Sequence, residues 1–475
     1  MTQTKLQEGQ AELPTAESTH SYWHQDPSPA LLGHRTTKEL PASADVVVVG
    51  SGITGAFAAR TLVEAGRSVL MLEAREACWG ATGRNGGHCH PLVFISKPNV
   101  AQFELDNYFY MRDFVRAHQV PCDWESVGAV CRLSTDTEAQ AAQENVRLLR
   151  RHHPALADKV VYVEDVEELK RLRVPGARAA VVHPHAAKLW PYKLVAWVLE
   201  ALLGTNDQSR PAGVRFNLQT TTPATHLQRF GTSWVLHTPR GQVVAKQVLL
   251  ATNGYTSHLL PRMSALIRPM RGQVAALVPP AGYAPLEHTH IWGTPAEADD
   301  YLAQRPDGVL ILGGERSGEA VVRSQTSRDD ELDGDVSARL RRAAHGVIDL
   351  RPGEEESEEL RAVYEWTGIM GYSADGHPWV GEVPAILGGG GGGLFVSAGY
   401  TGHGMPAAAR SGVAAANMML GRGTGDVRLP REFAVTPERV RTAPAVVLPE
   451  TWEDEIRMNA FWIEKEDEVA GEEDM

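Results

Sequence analysis

The chain has 475 residues, 43% of them hydrophobic, with 45 glycines and a formal net charge of −13. That length exceeds what one hydrophobic core serves and suits two interleaved domains, while no apolar run reaches the ~18 residues needed to span a bilayer and the polar first forty residues carry no secretory signal. Eleven acids and two bases give residues Glu450 to Met475 a net −9 and leave −4 for the rest, so no basic face for nucleic acid is expected and the acidic end is expected to be a solvated tail, with Trp452, Phe461 and Trp462 as candidates to dock it.

Residues 1–44 read as an arm. Tyr22-Trp23 and the punctuation at Pro27, Pro29 and Pro41 predict an extended segment lying over the body. The first part of a nucleotide domain then occupies 45–92. Val46 to Val49 is apolar on both faces, as a strand buried between two helical layers requires. It runs into Gly50-Ser51-Gly52-Ile53-Thr54-Gly55, where the glycines permit a tight turn, close approach of a pyrophosphate and close packing of the next helix, Gly55 to Ala65. The phosphate then meets unpaired N–H groups at a helix N-terminus. Gly66 stops that helix, a second strand spans Ser68 to Leu72, and Glu73, followed by Ala74 and Arg75, supplies a carboxylate for the adenosine ribose. Strand, glycines, helix, strand and acid in this register define a dinucleotide site, which the glycines alone would not.

The next segment, Trp79-Gly80-Ala81-Thr82-Gly83-Arg84-Asn85-Gly86-Gly87-His88, resembles the G-A-S-G-R-N-G-G-Q segment of FAD-dependent amine and amino-acid oxidases of the D-amino-acid oxidase superfamily, and most resembles the gamma-glutamylputrescine oxidase-like branch. The resemblance implies FAD, with backbone amides of Ala81, Thr82, Gly86 and Gly87 near the pyrophosphate and flavin and donors from Arg84 and Asn85. It also implies a fold, a Rossmann-like α/β FAD-binding domain interleaved with an α+β substrate domain on a mostly antiparallel sheet. Some relatives attach flavin covalently. Gly368 falls where a sarcosine-oxidase-like cysteine would stand, and Gly87 where a dimethylglycine-dehydrogenase-like histidine would stand, so non-covalent FAD is favoured and a link to the adjacent His88 is the alternative. The cysteines Cys78, Cys89, Cys122 and Cys131 show no metal spacing and suit a reducing, cytoplasmic compartment.

Residues 93–182 read as the first part of the cap or substrate domain, with helices at Val100 to His118, at Thr135-Asp136 to His152 and at Glu164 to Leu172, and a strand at Gly128 to Ser134. Residues 183–265 read as a return to the FAD domain. His183 and His185 stand there without a third ligand at suitable spacing, so no metal is expected. A helix follows from Pro191 to Leu203 and an antiparallel meander from Val214 to Leu250. The resemblance sets Ala224 near the adenine and reads Ala251-Thr252-Asn253-Gly254-Tyr255 as the A-T-N-A-Y signature on the nucleotide side.

The second part of the substrate domain is read at 266–360, with strands at Gln273 to Val278, His288 to Gly293 and Val309 to Gly313. Arg268 and Arg271, in a P-x-R-G-Q-like segment, are candidates for a substrate carboxylate, against a structural pairing with domain acids. A capped helix spans Asp333 to His345, and Glu354 to Glu359 read as a solvated cluster. Residues 361–425 read as the third part of the FAD domain. Trp366, in a W-x-G segment implied to cross beneath the flavin, is a catalytic candidate. So are His88 and His403. Gly399-Tyr400-Thr401-Gly402-His403-Gly404-Met405 resembles the G-x-x-G-H-G segment that sets a helix N-terminus, running on to about Gly421, against the flavin, where its dipole stabilises the reduced ring. Residues 426–475 form the acidic tail.

The resemblance implies hydride transfer from a carbon bearing an amine nitrogen to flavin, hydrolysis of the imine, and reoxidation by O2, with no obligatory side-chain base. A dehydrogenase with another acceptor, an oxidase of hydroxy acids and a flavin-binding protein without amine oxidase activity are the alternatives. Neither the particular amine nor the oligomeric state is specified.

Overall fold

The computed structural model describes residues 6–204, 215–293, 299–314, 325–351, 358–449 and 451–473. Strand β1 (Ser43–Val49) is buried from Val46 to Val49 because it is hydrogen-bonded on both edges. It runs parallel to β2 (Val69–Leu72), with Val46 opposite Val69, and parallel to the strand Gly241–Leu250, with Val46 opposite Gln247. Helix α1 (Ile53–Glu64) makes the crossover between β1 and β2 and packs against the helix Ala408–Met419. The long strand Gly241–Leu250 divides its outer edge. Its first half pairs antiparallel with Ser233–Thr238 in the meander, and its second half pairs parallel with Leu394–Ala398. The parallel centre therefore carries the antiparallel meander on the same sheet, the Rossmann-like arrangement that the sequence implies.

The second sheet also has eight strands. In spatial order they are Arg361–Ser373, Ile267–Val278, Leu310–Gly314, Asp299–Gln304, Thr289–Gly293, Ala129–Leu133, Ala179–His183 and Val161–Val163. All neighbours are antiparallel except Thr289–Gly293 with Ala129–Leu133. Two boundaries differ from the sequence reading. Arg361–Ser373 pairs along its length with Ile267–Val278, from Ile267 opposite Ser373 to Val278 opposite Arg361, so residues 361–373 hydrogen-bond into the substrate sheet, and pairing in the nucleotide sheet resumes only at Trp379–Glu382. His183, read as the start of a nucleotide segment, ends a strand of the substrate sheet.

Helices fall close to where periodicity sets them, at Pro98–His118, Asp136–His152 and Pro191–Leu202. Thr135 caps the second of these through a reciprocal box with Glu138. The helix capped by Asp333 is shorter than its pattern and ends at Leu340.

The C-terminal segment is not a solvated tail. It forms the helix Trp452–Glu473, which packs on Asp136–His152 with Ile456 and Ile463 fully buried. Apolar residues at 452, 456 and 463 keep a helical stripe that the acid count obscures. Of the Glu354 to Glu359 cluster, residues 354–357 lie outside the described residues, as do 474 and 475.

The N-terminal arm is held by indoles. Trp23 Nε1–H donates to Asn85 O at 2.5 Å and Trp190 Nε1–H to Trp23 O at 2.9 Å. Among the described residues no helix is long and apolar enough to cross a membrane.

Candidate active site

The turn after β1 shows why three glycines stand there. Gly50 takes φ +102°, and a Cβ on Gly55 would lie 2.0 Å from Gly50 O, so any larger residue would push α1 off the strand. Glu73 at the end of β2 is locked to this turn. Its Oε2 accepts Ser51 N–H at 3.0 Å and Ser51 Oγ–H at 2.5 Å, and its Oε1 accepts Arg75 N–H at 3.0 Å. Ile53 N–H donates to Thr82 Oγ1 at 3.1 Å, tying the following segment to the same turn.

A cavity of about 310 Å³ starts at these groups. Of the residues singled out from sequence, Gly50 to Thr54, Glu73 to Arg75, Ala81, Thr82, Arg84, Asn85, Gly86, His88, Ala224, Ala251, Thr252, Tyr400, Gly402, His403, Gly404 and Met405 line it. Gly55, Gly87, Gly254, Gly399, Thr401 and Trp366 stand behind the wall. Trp366, a catalytic candidate, is fully buried, and its Nε1–H donates to Arg84 O at 2.7 Å; it braces the wall and does not face the cavity. Arg84 is likewise consumed internally. Its guanidinium donates to Thr367 O, Thr19 O, Thr19 Oγ1 and Ser18 Oγ and lies 3.5 Å from Asp329, which leaves only its backbone for a ligand. Burial lowers its pKa to about 10. Arg268 and Arg271 are absent from the cavity wall, and Arg271 pairs with Glu331 at 2.6 Å. His403 sits in the turn ahead of the helix Ala408–Met419, which starts only at Ala408.

This donor set fits FAD. One end offers a wall without side chains at Gly50 and Gly52, with a helix N-terminus and an oriented carboxylate, as a pyrophosphate and ribose require.

The other end is lined by Gln273, the last residue of the P-x-R-G-Q-like segment, and by residues that no motif pointed to, among them His90, Ile291, Tyr301 and Trp452. Tyr301 fills the space left by two glycines, since a Cβ on Gly86 or Gly313 would lie 2.0 or 2.2 Å from its ring or hydroxyl. Leu13 and Pro14 of the arm and Tyr255 and His258 complete the enclosure.

His88 Nε2 lies 2.8 Å from Thr289 Oγ1, whose single hydroxyl proton goes to Gly128 O at 3.1 Å. In the tautomer that donates Nε2–H to the threonine oxygen, Nδ1 keeps a lone pair. Burial, and then the nearby His403 and His290, lower the His88 pKa to about 3, so the ring is neutral. His403 Nε2 lies 3.3 Å from Glu104 Oε1, and Glu104 Oε2 accepts Leu92 N–H at 2.9 Å. Cys89, beside the flavin segment, is fully buried and its thiol is pushed well up by that burial, so it is no nucleophile.

Sheet topology, glycine turn, oriented acid and a single enclosure reaching from them to a histidine-rich end define the class of dinucleotide-dependent oxidoreductases. The sequence profile for FAD dependent oxidoreductases (DAO) matches residues 45–418. The chain belongs to that family and is an FAD-dependent enzyme. It is 25% identical to the "Probable oxidoreductase OrdL" of Rhizobium meliloti (strain 1021), over 81% of this chain and 85% of that one. It is 23% identical to the gamma-glutamylputrescine oxidoreductase of Escherichia coli (strain K12), over 80% and 84%. In structure it is similar to glycine oxidase from Geobacillus kaustophilus, with a TM-score of 0.68 at 19% identity, over 83% of this chain and 99% of that one.

Proposed function

We propose that the enzyme oxidises the carbon–nitrogen bond of a small amine or amino acid, holds FAD without a covalent link and passes the electrons to O2. The observation that carries this reading is the continuity of one cavity from the Ser51–Glu73 end to His88, Tyr301 and His403. The printed activity of the gamma-glutamylputrescine relative supports the amine. When bound, FAD supplies the acceptor for a hydride from the carbon beside nitrogen. The amine must arrive as, or become, the free base, since its lone pair forms the C=N bond as the hydride leaves. The Glu104–His403 pair is placed to take that proton, at His403 or at the carboxylate behind it. Neutral His88 offers a lone pair to a substrate N–H. Tyr301, Ile291 and Trp452 exclude water from the reacting end. The imine released is then hydrolysed to a carbonyl compound.

Non-covalent attachment is supported by the full burial of Cys89, whose thiol that burial pushes well up. The test is anaerobic mixing of purified holoenzyme with a panel of amines, amino acids and hydroxy acids. Bleaching by an amine, with recovery and hydrogen peroxide on admitting air, is expected. Bleaching by hydroxy acids alone, or by nothing in the panel, would end the amine reading. Flavin that stays with the acid-precipitated polypeptide would end the non-covalent one.

A further inference from the structure

The sequence pairs His183 with His185, but the fold separates them. His185 packs edge-on against Phe109 and tilted against Tyr108, with ring centroids 5.0 and 5.9 Å away. His183 instead meets two residues far from it in the chain. Ala129 pairs with His183 and Cys131 with Val181 across neighbouring antiparallel strands, so Cys131 and His183 are diagonal neighbours on one sheet face. His90, just past the short strand His88–Cys89, brings its Nε2 against His183 Nδ1. One donor atom from each of His90, Cys131 and His183 lies within 4.8 Å of the other two. All three side chains are at most 2% exposed. Cys131 is in no disulfide, and the outer nitrogens His90 Nδ1 and His183 Nε2 are buried without a hydrogen-bond partner.

Two imidazoles and a thiol buried together are an expensive way to fill space. Buried polar atoms cost free energy when they lack partners, and Phe94, whose ring centroid is 5.5 Å from that of His183, offers no polar atom in its side chain. Three such ligands converging from separate parts of the chain meet the donor requirement of a thiophilic first-row ion. Thiolate selects zinc or copper, and imidazole suits both.

We propose that His90, Cys131 and His183 bind one such metal ion, with zinc expected. The ion clamps the segment after the FAD motif to the substrate sheet. Three protein ligands leave a fourth position open, and His90 is itself part of the cavity wall, so the ion lies beside the substrate end.

The experiment is elemental analysis of the purified holoenzyme before and after incubation with zinc or copper salts and dialysis, alongside Cys131→Ser and His183→Ala, with flavin content recorded as the measure of folding. About one zinc or copper per chain in the wild type, absent from variants that keep their flavin, is expected, and the element found distinguishes the two ions. Zinc K-edge absorption on the wild type needs no variant. It should show one sulfur near ~2.3 Å and nitrogens near ~2.0–2.1 Å. Metal well below one per chain after loading, retention of the ion by both variants, or a first shell without sulfur would each overturn the proposal and leave a hydrogen-bonded histidine pair beside a buried thiol.

Discussion

Glu104 Oε1 lies 3.3 Å from His403 Nε2 and joins the long cap helix to the glycine-rich turn that faces the flavin end of the cavity. Glu104 is 3% exposed, and its Oε2 accepts Leu92 N–H, so Oε1 is left facing the imidazole. Amine substrates are cations at neutral pH and must lose a proton before the carbon can lose hydride. A positioned base contributes roughly 10²- to 10⁴-fold. Glu104→Gln and His403→Ala should therefore retain FAD and slow anaerobic flavin reduction by about 10- to 100-fold at pH 7. The loss should shrink as pH approaches that of free amine. An equal loss at pH 7 and at pH 10 would show that the pair does not handle the proton.

The Ser51–Glu73 lock orients the turn, and the proposed second task of Glu73 is to accept ribose hydroxyls. Charge-assisted bonds of this kind are worth roughly 1.5–3 kcal/mol each. Glu73→Ala should weaken FAD binding at least tenfold, read by fluorescence titration of apoprotein. Glu73→Gln, which keeps the shape and loses the charge, should fall between. Wild-type affinity in Glu73→Ala would mean that the ribose is held elsewhere.

Much of this site was legible because the nucleotide half is built from backbone. A glycine turn, a buried strand and an acid at the strand end are constraints on neighbouring residues, and spacing records them. The substrate half is assembled from side chains that share no local pattern. Glu104, Tyr301 and Trp452 come from a helix, a strand and the C-terminal helix, and only folding brings them together. The arginines turn on a related point. Arg84 and Arg271 have the right chemistry for a ligand, but each has internal acceptors, Thr367 O and Thr19 for one and Glu331 for the other, that no spacing rule shows. Acid count likewise hid the Ile456 and Ile463 stripe.

Histidine burial sets the acid limit of the fold. His24 stacks on Trp79, with ring centroids 3.7 Å apart, and burial followed by the Arg84 charge lowers its pKa to about 3. His377 is lowered to about 4, again by burial first and then by Lys97. An unfolded histidine takes its proton near ~6.5. Between that pH and the folded value the unfolded chain binds more protons, so stability is complete above ~6.5 and falls as pH drops through the window, by up to about 1.4 kcal/mol per pH unit for each group. The apparent Tm should decline from pH 7 to pH 5. His24→Phe, which keeps the stack, should flatten part of that slope; an unchanged slope would exclude His24 from it.

Trp452 tests whether the C-terminal helix belongs to the active site. The helix is docked by Ile456 and Ile463, by Asn145 Nδ2–H to Ile456 O at 2.7 Å and by Thr137 Oγ1–H to Glu453 Oε2 at 2.8 Å. That docking sets the Trp452 side chain against Gly293, where an added Cβ would lie 2.8 Å from it, and into the cavity wall. Its indole Nε1–H is buried without a protein acceptor, an omission that costs about 1–3 kcal/mol unless a ligand supplies the acceptor. Trp452→Phe keeps most of the apolar wall and removes the donor, whereas Trp452→Ala removes both. If the indole N–H meets substrate, Trp452→Phe should raise KM about tenfold with FAD affinity unchanged, and Trp452→Ala should raise it further and admit bulkier amines. If the ring only fills space, Trp452→Phe should behave as wild type and Trp452→Ala alone should lose selectivity. Equal kinetics in all three proteins, each with its flavin bound, would place the C-terminal helix outside the reaction and leave it a purely structural brace on the cap.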